Sequence, residues 1–76
     1  MFLLRELLIY HPNDNNMMFY FYTNAETIDE AVSDLYAVQE RVGFYVGCDI
    51  DDCVLKLRSR SQKDNLLLEV RKPKEN

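Results

Sequence analysis

Between Thr27 and Gly43 the chain writes both ends of a helix into its sequence, and that segment restricts the fold more than any other. Thr27 stands where an N-cap belongs, and Glu30 follows three residues later. This spacing predicts a capping box: the hydroxyl accepts from the Glu30 amide, and the Glu30 carboxylate reaches back to the cap amide. Asp29 and Glu30 put negative charge at the positive end of the helix dipole, and Arg41 stands in the last turn. Gly43 occupies the position that commonly takes a left-handed conformation. Ile28, Ala31, Val32, Leu35, Val38 and Val42 recur at steps of three and four, so they predict one apolar stripe turned to a core. The opposite face carries Asp29, Glu30, Ser33, Asp34, Ala37, Glu40 and Arg41.

The flanking sequence reads as strand and turn. Leu4 to His11 is an apolar run interrupted by Arg5 and Glu6, and it predicts a strand. Residues 12–16, Pro-Asn-Asp-Asn-Asn, are turn formers, and MMFYFYT over Met17 to Thr23 predicts the second strand of a hairpin. Alternation there puts Met17, Phe19 and Phe21 toward the helix and Met18, Tyr20 and Tyr22 on the other side. After the helix, residues 44–46 suit a short strand and residues 47–52 a loop. Cys53 to Arg60 alternates strictly, with Cys53, Leu55 and Leu57 inward and Val54, Lys56, Arg58 and Arg60 outward. Leu66 to Arg71 returns after a turn, with Leu66, Leu68 and Val70 expected inward and Leu67, Glu69 and Arg71 outward. The order predicts a single α+β domain over residues 1–76 with a charged, frayed end at 73–76. Four or five mainly antiparallel strands (hairpin, helix, hairpin) would form two layers with the helix on one face. The expected core sets the helix stripe over Phe19, Phe21, Leu55, Leu57 and Leu68.

At 76 residues the chain buries only about 60% of its unfolded surface, so homodimerisation is an open alternative for burying more. No run approaches the roughly 18 apolar residues of a membrane span. The apolar start lacks a cationic leader and a small-residue cleavage site, so a cytoplasmic protein is expected. The spacing of Cys48 and Cys53 permits a disulfide, but in a reducing compartment two free thiols are the expected state.

Catalysis finds little support. His11 is the one histidine, with no partner positioned by sequence, and only Gly43 and Gly47 are available for a phosphate loop. Cys48, Asp49, Asp51, Asp52 and Cys53 cluster carboxylates and thiols, yet they lack the second ligand pair of a zinc site and the spacing of a calcium loop. No enzyme activity, metal or cofactor is expected.

Charge is the more informative property. Residues 1–55 hold ten acids and two bases, a net of −8, whereas residues 56–76 hold seven bases and three acids, a net of +4. One expected surface is acidic and comprises Glu26, Asp29, Glu30, Asp34 and Glu40 with Asp49, Asp51 and Asp52. Such a surface suits a basic, nucleic-acid-binding patch on a host or cellular protein. By association, small acidic domains without catalytic groups suggest inhibitors or regulators carried by phage or mobile elements. The segment from Ala25 to Ala31, AETIDEA, resembles the passage from strand to helix in a small phage inhibitor of bacterial RNA polymerase. That likeness covers about a tenth of the chain and consists mainly of the capping box, which many helices share, so it assigns no family. The second expected surface combines Tyr20 and Tyr22 with Lys56, Arg58, Arg60 and Arg71, a composition suited to single-stranded nucleic acid. A third reading makes the open sheet face, with Val54 and Leu67, an oligomer interface.

Overall fold

The computed structural model describes residues 4–14, 16–44, 46–60 and 66–74. Four strands, β1 (Arg5–Tyr10), β2 (Met17–Thr23), β3 (Val54–Ser59) and β4 (Leu67–Arg71), form one antiparallel sheet in the order β2-β1-β3-β4. The helix α1 (Ile28–Val42) lies on one face, as the α+β reading expects. The two hairpins meet through β1 and β3, where Leu7 lies opposite Leu57 and Ile9 opposite Leu55. These four side chains are fully buried against Ile28, Ala31 and Leu35 of the helix. The shortest dimension of the molecule, 19 Å, is that of one helix on one sheet, since each layer is about 10 Å thick. Among the described residues no element covers the other, open face of the sheet.

The caps form largely as the sequence predicts. Thr27 is extended, and its hydroxyl accepts from the Glu30 amide at 3.2 Å. Gly43 is left-handed (φ 84°), and its amide donates to the Gln39 carbonyl at 2.7 Å. One detail differs. The Glu30 carboxylate accepts from the Glu26 amide, one residue before the cap, at 3.0 Å. The amide of Ile28 donates instead to Oε2 of Glu69 at 3.0 Å. A strand far away in sequence therefore caps the first helical residue, and its negative charge also meets the dipole. Glu69→Ala is expected to cost about 1 kcal/mol, as loss of an N-cap does. Urea denaturation with an unchanged slope checks this.

Two β-bulges reverse the expected faces. Ile9 pairs with Phe19 and Tyr10 with Met17, which leaves Met18 as the extra residue. Met18 packs on the core and Met17 is exposed on the open face, the reverse of the expected alternation. In β4, Leu57 pairs with Glu69 and Arg58 with Leu67, so Leu68 is extra. Glu69 and Arg71 consequently share the helix face with Leu57 and Leu55, and Val70 stands on the open face beside Lys56. Leu66, Leu68 and Val70, expected inward, are exposed. Leu68 is thus not a core residue. The helix-facing positions of β4 are taken by Glu69 and Arg71, which meet the start of the helix, so its apolar side chains are left in solvent.

The helix stripe is likewise shorter than its periodicity. Ile28, Ala31, Val32 and Leu35 are buried, Val38 is half-buried and Val42 is 65% exposed, because the last turns run beyond the core. Phe44 and Val46, placed in a possible fifth strand, are not in strand conformation, and Tyr45 lies outside the described residues. Phe44 instead stacks on Phe19 with centroids 5.4 Å apart. Cys48 and Cys53, expected as free thiols, are joined in a disulfide. The one-turn 3₁₀ segment Ile50–Asp52 folds the chain back between them, and Ile50 and Cys53 are buried in the core. The expected turn at 61–65 lies outside the described residues.

Candidate functional surfaces

Alternation in the central strand β1 places Glu6, Leu8 and Tyr10 on the open face, opposite in phase to Leu7 and Ile9. Glu6 lies between Tyr22 of β2 and Arg58 of β3, and Leu8 between Tyr20 and Lys56. These large neighbours lean over the strand. As a result, Glu6 is only 3% exposed and Leu8 only 4%, although among the described residues no element covers this face as a layer.

A buried carboxylate needs paired charge and full hydrogen bonding. Glu6 has both. Oε1 accepts from Arg58 Nε at 2.8 Å and lies 2.7 Å from Nη2. Oε2 accepts from Arg60 Nη1 at 3.1 Å, and the same Nη1 also donates to the Tyr22 hydroxyl at 2.7 Å. Arg60 also stacks over the Tyr22 ring at 5.4 Å, and Lys56 Nζ sits 4.7 Å from the Tyr10 ring centroid. Tyr20 meets Tyr22 edge to face at 5.5 Å. Glu6, Leu8, Tyr10, Tyr20, Tyr22, Arg58 and Arg60 line an open groove of about 510 Å³ with Met17, and Lys56 stands beside it across from Leu8.

The second expected surface therefore assembles with one correction. Tyr20, Tyr22, Lys56, Arg58 and Arg60 share the open face, while Arg71 is on the other side of the sheet because of the Leu68 bulge. Sequence reasoning missed Glu6, Leu8 and Tyr10. The signal was present, since Glu6 falls in phase with Leu8 and Tyr10 and out of phase with the buried Leu7 and Ile9.

The acidic residues lie on the helix and the 3₁₀ segment. Glu26, Asp29, Glu30, Asp34, Glu40, Asp49, Asp51 and Asp52 are all exposed. Several also do structural jobs. Asp34 accepts from the buried Thr23 hydroxyl at 2.9 Å, Thr23 in turn accepts from the Ala25 amide, and Asp49 caps the 3₁₀ turn by accepting from the Asp51 amide. Arg71 lies 3.3 Å from Asp29 and 3.9 Å from Asp51, so one guanidinium joins the start of the helix to the 3₁₀ segment. Lys74 adds a second cation 3.8 Å from Asp51, and its amide donates to the Asp51 carbonyl.

His11 is exposed at the β1–β2 turn, where its amide donates to the Asn16 carbonyl. Among the described residues no three His, Cys, Asp or Glu side chains converge as a metal site would require, and no helix is long and apolar enough to cross a membrane. No protein-family model, curated protein or solved structure matches the chain.

Proposed function

We propose that the chain is a small protein-interaction module, an inhibitor or regulator of the kind phage and mobile elements encode. Its acidic surface would engage a basic, nucleic-acid-binding patch on a host or cellular protein. The observation that supports this reading is the exposure of all eight carboxylates of that set. Eight exposed carboxylates lie on α1, on its approach and on the 3₁₀ segment, and Arg71 brings Asp29 and Asp51 within 4 Å of the same group. Asp29 keeps a side-chain exposure of 92% despite that contact, so its charge remains available to a partner. Exposed charges of one sign steer association and select against like-charged partners.

The test must spare the acids that hold the fold. Glu26, Glu40 and Asp52 have no side-chain hydrogen bond or ion pair among the described residues. The triple variant Glu26→Lys, Glu40→Lys, Asp52→Lys should keep the wild-type circular dichroism and melting profile. In affinity capture from host lysate it should lose the bound protein, which heparin or raised salt should also release from the wild type. Retention of the same protein by the folded triple variant would rule out the acidic surface as the docking site.

A further inference from the structure

We infer that the open sheet face is a second, independent binding surface, for single-stranded nucleic acid, with Glu6 as the buried residue that positions its cations. The inference starts from charge. Among the described residues of this face, Lys56, Arg58 and Arg60 face a single carboxylate, Glu6, which is buried beneath them. Among the described residues the exposed acids lie on the helix, its approach, the 3₁₀ segment, the β1–β2 turn (Asp14) and the helix side of β4 (Glu69), and none of them lines the groove. Arg58 and Arg60 keep 38% and 50% side-chain exposure above Glu6, so a polyanion meets cations while the carboxylate is out of its reach.

The second element is aromatic. Tyr20 and Tyr22 are 50% and 43% exposed, next to each other on the edge strand β2. Exposed rings on a sheet offer flat apolar surface to unpaired bases, and nearby cations hold the connecting phosphates. β2 and β3 are separated by one strand, so their backbones lie roughly 10 Å apart, and Arg60 reaches across that gap to the Tyr22 ring. A chain crossing the sheet can stack on the first and place its phosphates on the second. A duplex, whose bases are stacked on each other, cannot use the rings.

Glu6 has a positioning role. By accepting from Arg58 Nε and Arg60 Nη1 it fixes both guanidinium planes, and Arg60 in turn holds the Tyr22 hydroxyl and ring. The groove is thus arranged before a ligand arrives, which lowers the entropy lost on binding.

Fluorescence anisotropy with labelled oligo(dT) and oligo(U) of roughly 12 nucleotides, a length within the span of one compact binding domain, tests the inference. At about 50 mM salt, micromolar binding is expected, weakening about tenfold at roughly 200 mM for two or three phosphate contacts. Tyr20→Ala with Tyr22→Ala should weaken it about tenfold or more, in the range measured for lost base stacking. Lys56→Gln should flatten the salt dependence. A melting curve for each variant separates lost contacts from lost fold. The Glu26, Glu40, Asp52 triple variant should bind no more weakly than wild type, so failure of one surface is distinguishable from failure of the other. Absence of binding at low salt overturns the inference. So does affinity for a duplex or for polyglutamate equal to that for oligo(dT) and unchanged by the tyrosine substitutions. Self-association that Tyr20→Ala abolishes would also overturn it, by making the face a dimer interface.

Discussion

Leu35→Ala is expected to destabilise the domain by about 3 kcal/mol, whereas Val42→Ala is expected to change stability by less than about 0.5 kcal/mol. Both residues belong to the same helical stripe in the sequence. Leu35 is fully buried between the helix and the sheet, so truncation removes apolar contact and leaves a cavity among Leu7, Ile9, Leu55 and Leu57. Val42 stands on the overhanging last turn and is already in water. A domain of this length has a total stability on the order of 4–11 kcal/mol, so the Leu35 variant loses a large part of its margin. Its melting temperature should fall by roughly 15 °C. Urea titration of both variants, with the wild type, reads the difference directly. Equal effects at the two positions would contradict the placement of the helix over the sheet.

Arg58→Ala is expected to cost about 2 kcal/mol, and the loss should be largely restored by adding Glu6→Leu. Breaking a buried pair from one side commonly costs about 3–5 kcal/mol; the lower figure applies here because Arg58 is 38% exposed and Arg60 remains bound to Oε2. The penalty comes from a carboxylate that is 3% exposed losing its principal donors. Glu6→Leu alone should be nearly neutral, since both arginines can turn to water and a leucine fits beside Leu8. A double-mutant cycle of Glu6 and Arg58 measures the coupling. Additive effects would mean that the two side chains do not share the contact described. The cycle also bears on the open face, because the double variant keeps Tyr20, Tyr22 and Lys56 while losing the anchor that orients Arg60.

Much of the fold was legible because its determinants are local. The Thr27 and Gly43 caps, the Ile28–Leu35 part of the stripe and the alternation of Cys53 to Arg58 each depend on residues within a few positions of one another. The segregation of acids from cations was legible in the same way, as a shift in composition near residue 55. Glu6 was legible in part. Its phase within β1 marks it as facing away from Leu7 and Ile9, but its burial depends on side chains that arrive from β2 and β3.

The two bulges had no local signal. A single extra residue reverses every side chain on one flank of it, and Met18 follows another Met as Leu68 follows two Leu, so neither stands out in the sequence. That is why Met17 and Met18 exchange faces, and why Glu69 and Arg71 turn toward the helix. The consequence reaches both surfaces. Arg71 leaves the cationic face and becomes the link between Asp29 and Asp51, and Glu69 becomes a cap for Ile28.

By itself, the sequence determined the helix with its ends, the strand-forming segments, the α+β class and the opposed charge of two regions of the chain. Those features follow from backbone propensity, capping and hydrophobic period, which act over one or two turns. The order β2-β1-β3-β4, the bulged registers and the disulfide, and with them the burial of Glu6 under two arginines and the exposure of β4, came from tertiary contacts. These depend on which distant segments meet, and the free energy that selects one meeting over another is spread over the whole core.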